Sequence, residues 1–378
     1  MRSISVRPGP ERASRQSGPR ILATLAALSV LVAAGGAARA GGDLGSYESA
    51  VKSASATPAW NGPTEPAAAP KDKYLVGVSC TWALAGCRLL AQGAEAAAKQ
   101  LGWRVKTIVV NDPTGYDQAV QTAITSGADG IALTGVDQAL IAGGLEMAKK
   151  KNIPVVSIYQ YNKGGEYGVA TDVHPDGELI GKLLADSAIV NNHGTVRALF
   201  LKDAEFSLPV TVLGAVEKEL AACKACMISF ADPINFTAST VGTTLPNRVV
   251  AALRRDPKIN SLFIGFDPPA ALIVPALDAA GFRGKVTMYS QLGNAGPLAL
   301  VRDNNLFVAD ATSSEEWGGW GAVDEIVRLL DGKPIVEENI PVRLLTSDNP
   351  KDLPPAGEVW VGAESGFREH YLHLWGRQ

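Results

Sequence analysis

From Tyr74 onward, short apolar runs alternate with longer stretches whose apolar positions recur every three or four residues. The short runs YLVGVSC (74–80), WRVKTIVV (103–110), DGIALTG (129–135) and IPVVSIY (153–159) predict strands by their length and β-branching. Between them, 85–101, 117–126 and 137–151 predict helices, the first two stopped by Gly102 and Gly127. The alternation restarts after GVATDVHPDG (168–177). A helix to about Asn191 leads into strands TVRALFL (195–201), MISFAD (227–232), SLFIGF (261–266), KVTMYS (285–290) and LFVADATS (306–313). Helices are predicted over 210–222, 240–255, 269–280 and 315–330. Strands that are apolar throughout and separated by helices require a parallel sheet covered on both faces. Right-handed crossovers then make each sheet doubly wound. The chain reads as α/β, two doubly wound parallel-sheet lobes in series. Ligands of such sheets bind beyond the carboxyl ends of the strands, so two facing lobes frame a cleft suited to hinge closure on a small molecule.

The N-terminus follows a different pattern. Five Arg and one acid, Glu11, occupy residues 1–20; ILATLAALSVLVAA (21–34) is uncharged, and Ala38-Arg39-Ala40 follows. A basic start, a short apolar run and an A-x-A exit predict a signal peptide over 1–40, cleaved near Ala40. A membrane anchor is the alternative, but fourteen residues fall short of a roughly 30 Å hydrocarbon core. Residues 41–72, rich in Gly, Ser, Ala and Pro, read as a leader or linker with one short helical stretch, YESAVKSA. The 378 residues are 46% hydrophobic, enough for a packed core in about two domains. The net charge of −3 becomes −8 once 1–40, with six Arg and one Glu, is removed. Such a chain offers no basic field to nucleic acid.

In order and spacing, several segments resemble type I periplasmic binding proteins, the substrate-binding components of ABC importers, and within them the ribose/sugar-binding branch. They are Trp60-Asn61-Gly62-Pro63-Thr64, YLVGVSC, AITSGADGIALTGVD (123–137), AKKKNIPVVSIY (148–159), VATDVHPDGELIGKLLAD (169–186), LFIGFDPPAAL (262–272) and AGFRGKVTMYSQLGN (280–294). The resemblance covers roughly residues 73–341. It implies a Venus-flytrap of two lobes joined by three crossings, near 172–176, 312–314 and 340–342. The N-terminal lobe is then 73–172 plus 313–341, and the C-terminal lobe 173–312 plus 342–378. No helix-turn-helix precedes the lobes, which excludes the DNA-binding repressors that share the fold. The resemblance also implies a periplasmic location, a small-molecule ligand, an inner-membrane ABC permease as partner, a monomer and no cofactor.

Candidate ligand-binding residues follow the strands. Trp82 either stacks on a flat ligand or packs inside its lobe. Asp137 follows the third strand, and Tyr159-Gln160 the fourth. In pentose and hexose binders the last position resembles an Asp-Arg pair that grips hydroxyls. Its replacement here weakens the case for a simple sugar and admits a flatter, less hydroxylated ligand. In the second lobe Glu205, Phe206, Asn235, Phe236, Asp267 and Gln291 follow strands. Asp267, before Pro268-Pro269, is equally a helix cap, and Phe236 equally lobe core. Trp317 opens the last long helix beside a crossing and is a candidate wall.

The four cysteines form two local pairs, Cys80 with Cys87 and Cys223 with Cys226, and in an exported chain each predicts a disulfide. Cys223 and Cys226 have C-x-x-C spacing but sit where a helix ends, the wrong end to lower a thiol pKa. The sequence contains no H-E-x-x-H, G-x-S-x-G or G-x-x-x-x-G-K-[ST] motif, and no metal is expected. The expectation is a solute-binding protein rather than an enzyme. It takes a sugar-like ligand first, or a flat aromatic or alicyclic compound next, and delivers it to an ABC importer. The alternatives are a sensor subunit that presents its ligand to a membrane receptor and, further off, an exported thiol oxidoreductase.

Overall fold

The computed structural model describes residues 43–165, 168–203, 205–303 and 306–377. The signal peptide expected over 1–40 lies outside the described residues.

The leader forms helix α1 (Gly45–Ser55). The N-terminal lobe then runs β1 (Tyr74–Ser79), α2 (Ala85–Gln100), β2 (Arg104–Val109), α3 (Tyr116–Thr125), β3 (Gly130–Thr134), α4 (Ala142–Lys150), β4 (Val155–Ile158) and β5 (Thr171–Val173). The C-terminal lobe follows with α5 (Gly177–Asn191), β6 (Thr195–Asp203), α6 (Ser207–Ala222), β7 (Met227–Phe230), β8 (Ile234–Phe236), α7 (Leu245–Arg255), β9 (Ser261–Ile264), α8 (Ala270–Ala279), β10 (Thr287–Ser290), α9 (Ala295–Arg302) and β11 (Phe307–Ser313). The chain returns through α10 (Glu315–Leu330), crosses again to β12 (Val342–Thr346) and ends in α11 (Phe367–Leu374).

The first sheet has the order β2-β1-β3-β4-β5, and its pairs are all parallel. The second has the order β12-β11-β10-β9-β6-β7, with β8 also on β6 and only β12 antiparallel. Central strands β3, β4 and β9 are buried at every position, which is why they read as unbroken apolar runs. The edge strand β2 alternates, as a half-covered strand must. Glycines set the closest helix contact. A Cβ on Gly93 of α2 would lie 2.6 Å from the Glu316 carbonyl oxygen of α10, and one on Gly319 2.6 Å from the Leu90 carbonyl oxygen.

The predicted strand 227–232 ends at Phe230, and a separate short strand, β8, then pairs further along β6. The helix predicted from 137 begins at Ala142, after a short 3-10 turn over Gln138–Leu140. Helix α9 was not anticipated, since eight residues with Pro297 near the start carry too little periodicity.

The tail departs from expectation. All of 342–378 was assigned to the C-terminal lobe, yet α11 packs on α10 of the N-terminal lobe. Rings explain this. Trp317 stacks between Trp60 (5.5 Å) and Phe367 (4.8 Å), and Trp320 stacks on Trp375 (5.6 Å). Trp375 also donates its indole N–H to Asp324. The leader packs in the same way: α1 lies on α5 and β12 of the C-terminal lobe, while Ala67 N–H donates to the Leu374 carbonyl. Burying these rings outweighs the cost of ordering the two chain ends.

Candidate functional site

The carboxyl ends of both sheets meet at one small cavity of about 120 Å³. The N-terminal lobe supplies Cys80, Leu84, Cys87, Leu90, Gly135, Ile158, Tyr159, Gln160 and Glu315; the C-terminal lobe supplies Phe206, Leu208, Pro209, Phe266, Pro268, Gln291 and Leu292. Most of the wall is hydrocarbon or aromatic. Its size is close to that of the roughly 150 Å³ apolar cavities known to take up benzene.

The wall is built stiffly. Cys80, just past β1, is disulfide-bonded to Cys87 on α2, with Cα atoms 5.6 Å apart. Gly135 beside this bridge has φ +62° and leaves no room for a Cβ next to the Cys80 sulfur, so only glycine fits. After β4 the chain takes left-handed conformations at Tyr159 (φ +56°) and Tyr161 (φ +60°). Asp172, from β5, holds that bend: its carboxylate accepts the backbone N–H groups of Gln160 and Asn162 and the Ser157 hydroxyl. The Tyr159 hydroxyl donates to the Ser314 carbonyl at 3.0 Å, and its ring lies where a Cβ on Gly318 would be 2.7 Å away. Burial raises the Tyr159 hydroxyl well above the ordinary phenol range.

Across the cleft, Asp267 clasps the loop after β10. Its two oxygens accept the Asn294 backbone N–H (2.8 Å) and side-chain amide (2.7 Å). The Gln291 amide donates to the Gly265 carbonyl at 2.7 Å, which fixes its orientation and leaves Oε1 without a partner. Three buried carboxyls gather behind this wall: Asp267, Asp310 on β11 and Glu315 at the start of α10. Burial pushes Asp267 up to about 7 and Glu315 up to about 8. Asp310 is raised well above the usual range by burial and then by the charge of Asp267. Carboxyls that share a dry site hold a proton between them rather than ionise together.

Of the sequence candidates, Tyr159, Gln160, Phe206 and Gln291 line the cavity. The others are not brought to it, each for a local reason. Trp82 donates its indole N–H to Ser79 Oγ (3.3 Å), which holds its ring against the end of β1. Asp137 is exposed and accepts from Ala139 N–H, capping a 3-10 turn. Glu205 is exposed one residue before the wall, and its N–H donates to Asp203. Along β8, Asn235 faces outward while Phe236 packs behind Phe266 at 5.9 Å. Asp267 neither caps α8 with its side chain nor lines the cavity; it is consumed by Asn294. Trp317 is held in the stack described above. Sequence reasoning missed Glu315 and Phe266. Glu315 reads as an ordinary first-turn acid of a helix, and Phe266 as the last residue of an ordinary apolar strand.

The second bridge joins Cys223 and Cys226 at the C-terminal end of α6, the opposite end from the cavity-lining Leu208 and Pro209. Among the described residues no group of three or more His, Cys, Asp or Glu side chains is arranged to hold a metal ion, and no helix is long and apolar enough to cross a membrane.

Residues 85–334 match the family model described as periplasmic binding protein domain. The chain belongs to the periplasmic binding protein family. This is a family of binding proteins, not of enzymes. Comparison with curated proteins returns no match. Among solved structures, the fold is shared with an ABC transporter solute-binding protein from Agrobacterium vitis with bound allitol. The two are 20% identical with a TM-score of 0.66, over 74% of this chain and 98% of that one. It is shared also with GanP, a glucose-galactose binding protein from Geobacillus stearothermophilus (18% identity, TM-score 0.64, 75% and 100% covered). A third match is the XylFII-LytSN complex (17% identity, TM-score 0.62, 74% and 99% covered). At these identities the likeness shows the type I fold alone.

Proposed function

We propose that this periplasmic binding protein captures a small organic molecule between its lobes and delivers it, in the periplasm, to an ABC importer in the inner membrane. The observation that carries this is the small, partly open cavity at the carboxyl ends of both sheets, with walls from both lobes. A ligand touching Tyr159 and Gln160 on one side and Phe206, Phe266 and Gln291 on the other stabilises the closed arrangement over the open one. The relatives with bound sugars favour a sugar-like ligand. The wall here favours the other class, a flat aromatic or alicyclic compound. A sugar has hydroxyls around its whole rim, and each one left unpaired in a dry site costs about 1–3 kcal/mol. We therefore place the ring compound first.

The test is a thermal-shift and calorimetry screen of the purified protein against sugars, polyols and small ring compounds. A ligand at a hundredfold excess over its Kd stabilises the folded state by about 2.7 kcal/mol. The expected result is saturable stabilisation by compact ring compounds, weakened in Phe266→Ala and Gln291→Ala. Binding unaffected by both substitutions would place capture elsewhere, and no binding by any class would refute it. The XylFII-LytSN match supports a second reading, presentation of the ligand to a membrane receptor. Ligand-dependent co-purification with a permease rather than a receptor ectodomain separates the two.

A further inference from the structure

We infer that the captured ligand is a cation: an amine on a compact apolar frame, whose ammonium group sits between Glu315 and the Gln291 side-chain oxygen. This rests on the capture reading above and names the chemical class that the same cavity selects.

The wall leaves polar atoms unsatisfied. Glu315 Oε1 and Gln291 Oε1 are both buried, both belong to cavity-lining residues, and neither has a hydrogen-bond partner. Both are acceptors. The Gln291 amide cannot turn to offer its N–H, because that group is committed to the Gly265 carbonyl. Glu315 is 2% exposed and Gln291 0%, so no bulk water relieves them. Unpaired buried acceptors ask for a donor, and an ammonium brings three.

The sign of the site agrees. No Lys or Arg lines the cavity, and among the described residues none forms an ion pair with Asp267, Asp310 or Glu315. The neighbouring acid, Glu316, is already engaged by Arg368. The remaining wall suits a cation with an apolar body. Phe206, Phe266 and Tyr159 offer ring faces or edges, and aromatic faces attract cations. A neutral polyol finds mostly hydrocarbon here.

Proton linkage makes the idea measurable. The titratable groups facing Glu315 are Asp267 from the loop after β9, Asp310 from β11 and Tyr159 from the loop after β4. None is cationic. Without ligand, Glu315 therefore keeps its proton to about pH 8. An arriving ammonium favours the carboxylate, so the proton leaves to solvent as the ion pair forms: one O–H bond breaks, and the ligand keeps its own protons. At pH 7 this releases about 0.9 proton per ligand. Affinity should rise about ninefold from pH 6 to 7, about fivefold from pH 7 to 8, and level off above 8.

The experiment is isothermal titration calorimetry of the purified protein with matched pairs: benzylamine against benzyl alcohol, and cyclohexylamine against cyclohexanol. Titrations run from pH 6 to 9 and in two buffers of different ionisation enthalpy. The expected result is at least tenfold preference for the amine of a pair, the pH slope above, and proton release into the buffer. Glu315→Gln should remove slope and proton release and weaken the amine at least tenfold while sparing the alcohol. The wild-type proton release stands independently should that variant fold poorly. Equal or tighter binding of the alcohols, or affinity flat or falling with pH, would overturn the cation while leaving capture intact. If no amine, alcohol or sugar of the wider screen binds, the capture reading falls and this inference with it.

Discussion

Glu315 makes a prediction about the empty protein that needs no ligand. Its carboxyl is raised from 4.5 to about 8, chiefly by burial and next by the charge of Asp267. Between those two values the folded state binds more protons than the unfolded state. The stability Glu315 permits is thus fully present below about pH 4.5 and is lost as pH rises toward 8. Integrating the linkage from pH 5 to pH 8 gives a loss of roughly 3–4 kcal/mol from this one group. Asp186, raised to about 6, and Glu325 and Asp267, each raised to about 7, add losses of the same sign. Glu315→Gln cannot ionise, so comparison with wild type isolates a single contribution. An unfolding entropy of about 2.1 cal/mol/K per residue converts this loss into about 5 °C for a chain of this length. Differential scanning calorimetry should show a variant less stable than or similar to wild type at pH 5 and gaining about 5 °C on it by pH 8. Parallel Tm curves for the two proteins across this range would refute the buried, proton-loaded carboxyl on which the site is built.

Other outcomes follow from the same geometry. Replacing both Cys80 and Cys87 by Ser frees a short loop and should cost about 2 kcal/mol, read by urea unfolding, with ligand affinity falling alongside because the freed segment forms the cavity wall. Gly318→Ala should cost about 1–3 kcal/mol by pushing into the Tyr159 ring, and near-ultraviolet circular dichroism should report the tyrosine displacement; an unchanged spectrum and Tm would contradict the packing. Trp375→Ala should cost about 3–5 kcal/mol, because it strips a stacking partner from Trp320 and a donor from Asp324; a surface-like loss below about 0.5 kcal/mol would show that α11 does not dock on α10. N-terminal sequencing of the exported protein should begin near residue 41.

How far the sequence determined these features can be followed residue by residue. Strands such as GIALT and VVSI declare themselves because a central parallel strand is buried on both faces, so every position is apolar and local composition suffices. The helix over Glu315–Leu330 was legible to the residue: Ser314 caps it through the Trp317 N–H, and two acids fill its first turn. Both cysteine pairs were legible because they are local. The cleft was legible as a place, since strand ends converge by topology, and Tyr159, Gln160, Phe206 and Gln291, which that rule names, line the cavity. The rule does not foresee side chains that find a partner inside the protein: Asp267 turns to Asn294, and Trp82 to Ser79.

What only the tertiary structure decided is whatever depends on residues far apart in the chain. Trp60, Trp317 and Phe367 stack although some fifty to more than two hundred residues separate them, and this docks the tail on the N-terminal lobe against expectation. Asp267, Asp310 and Glu315 are unremarkable acids in the sequence. Their carboxyls are raised above the usual range only because folding buries them side by side, and no local pattern encodes a local dielectric.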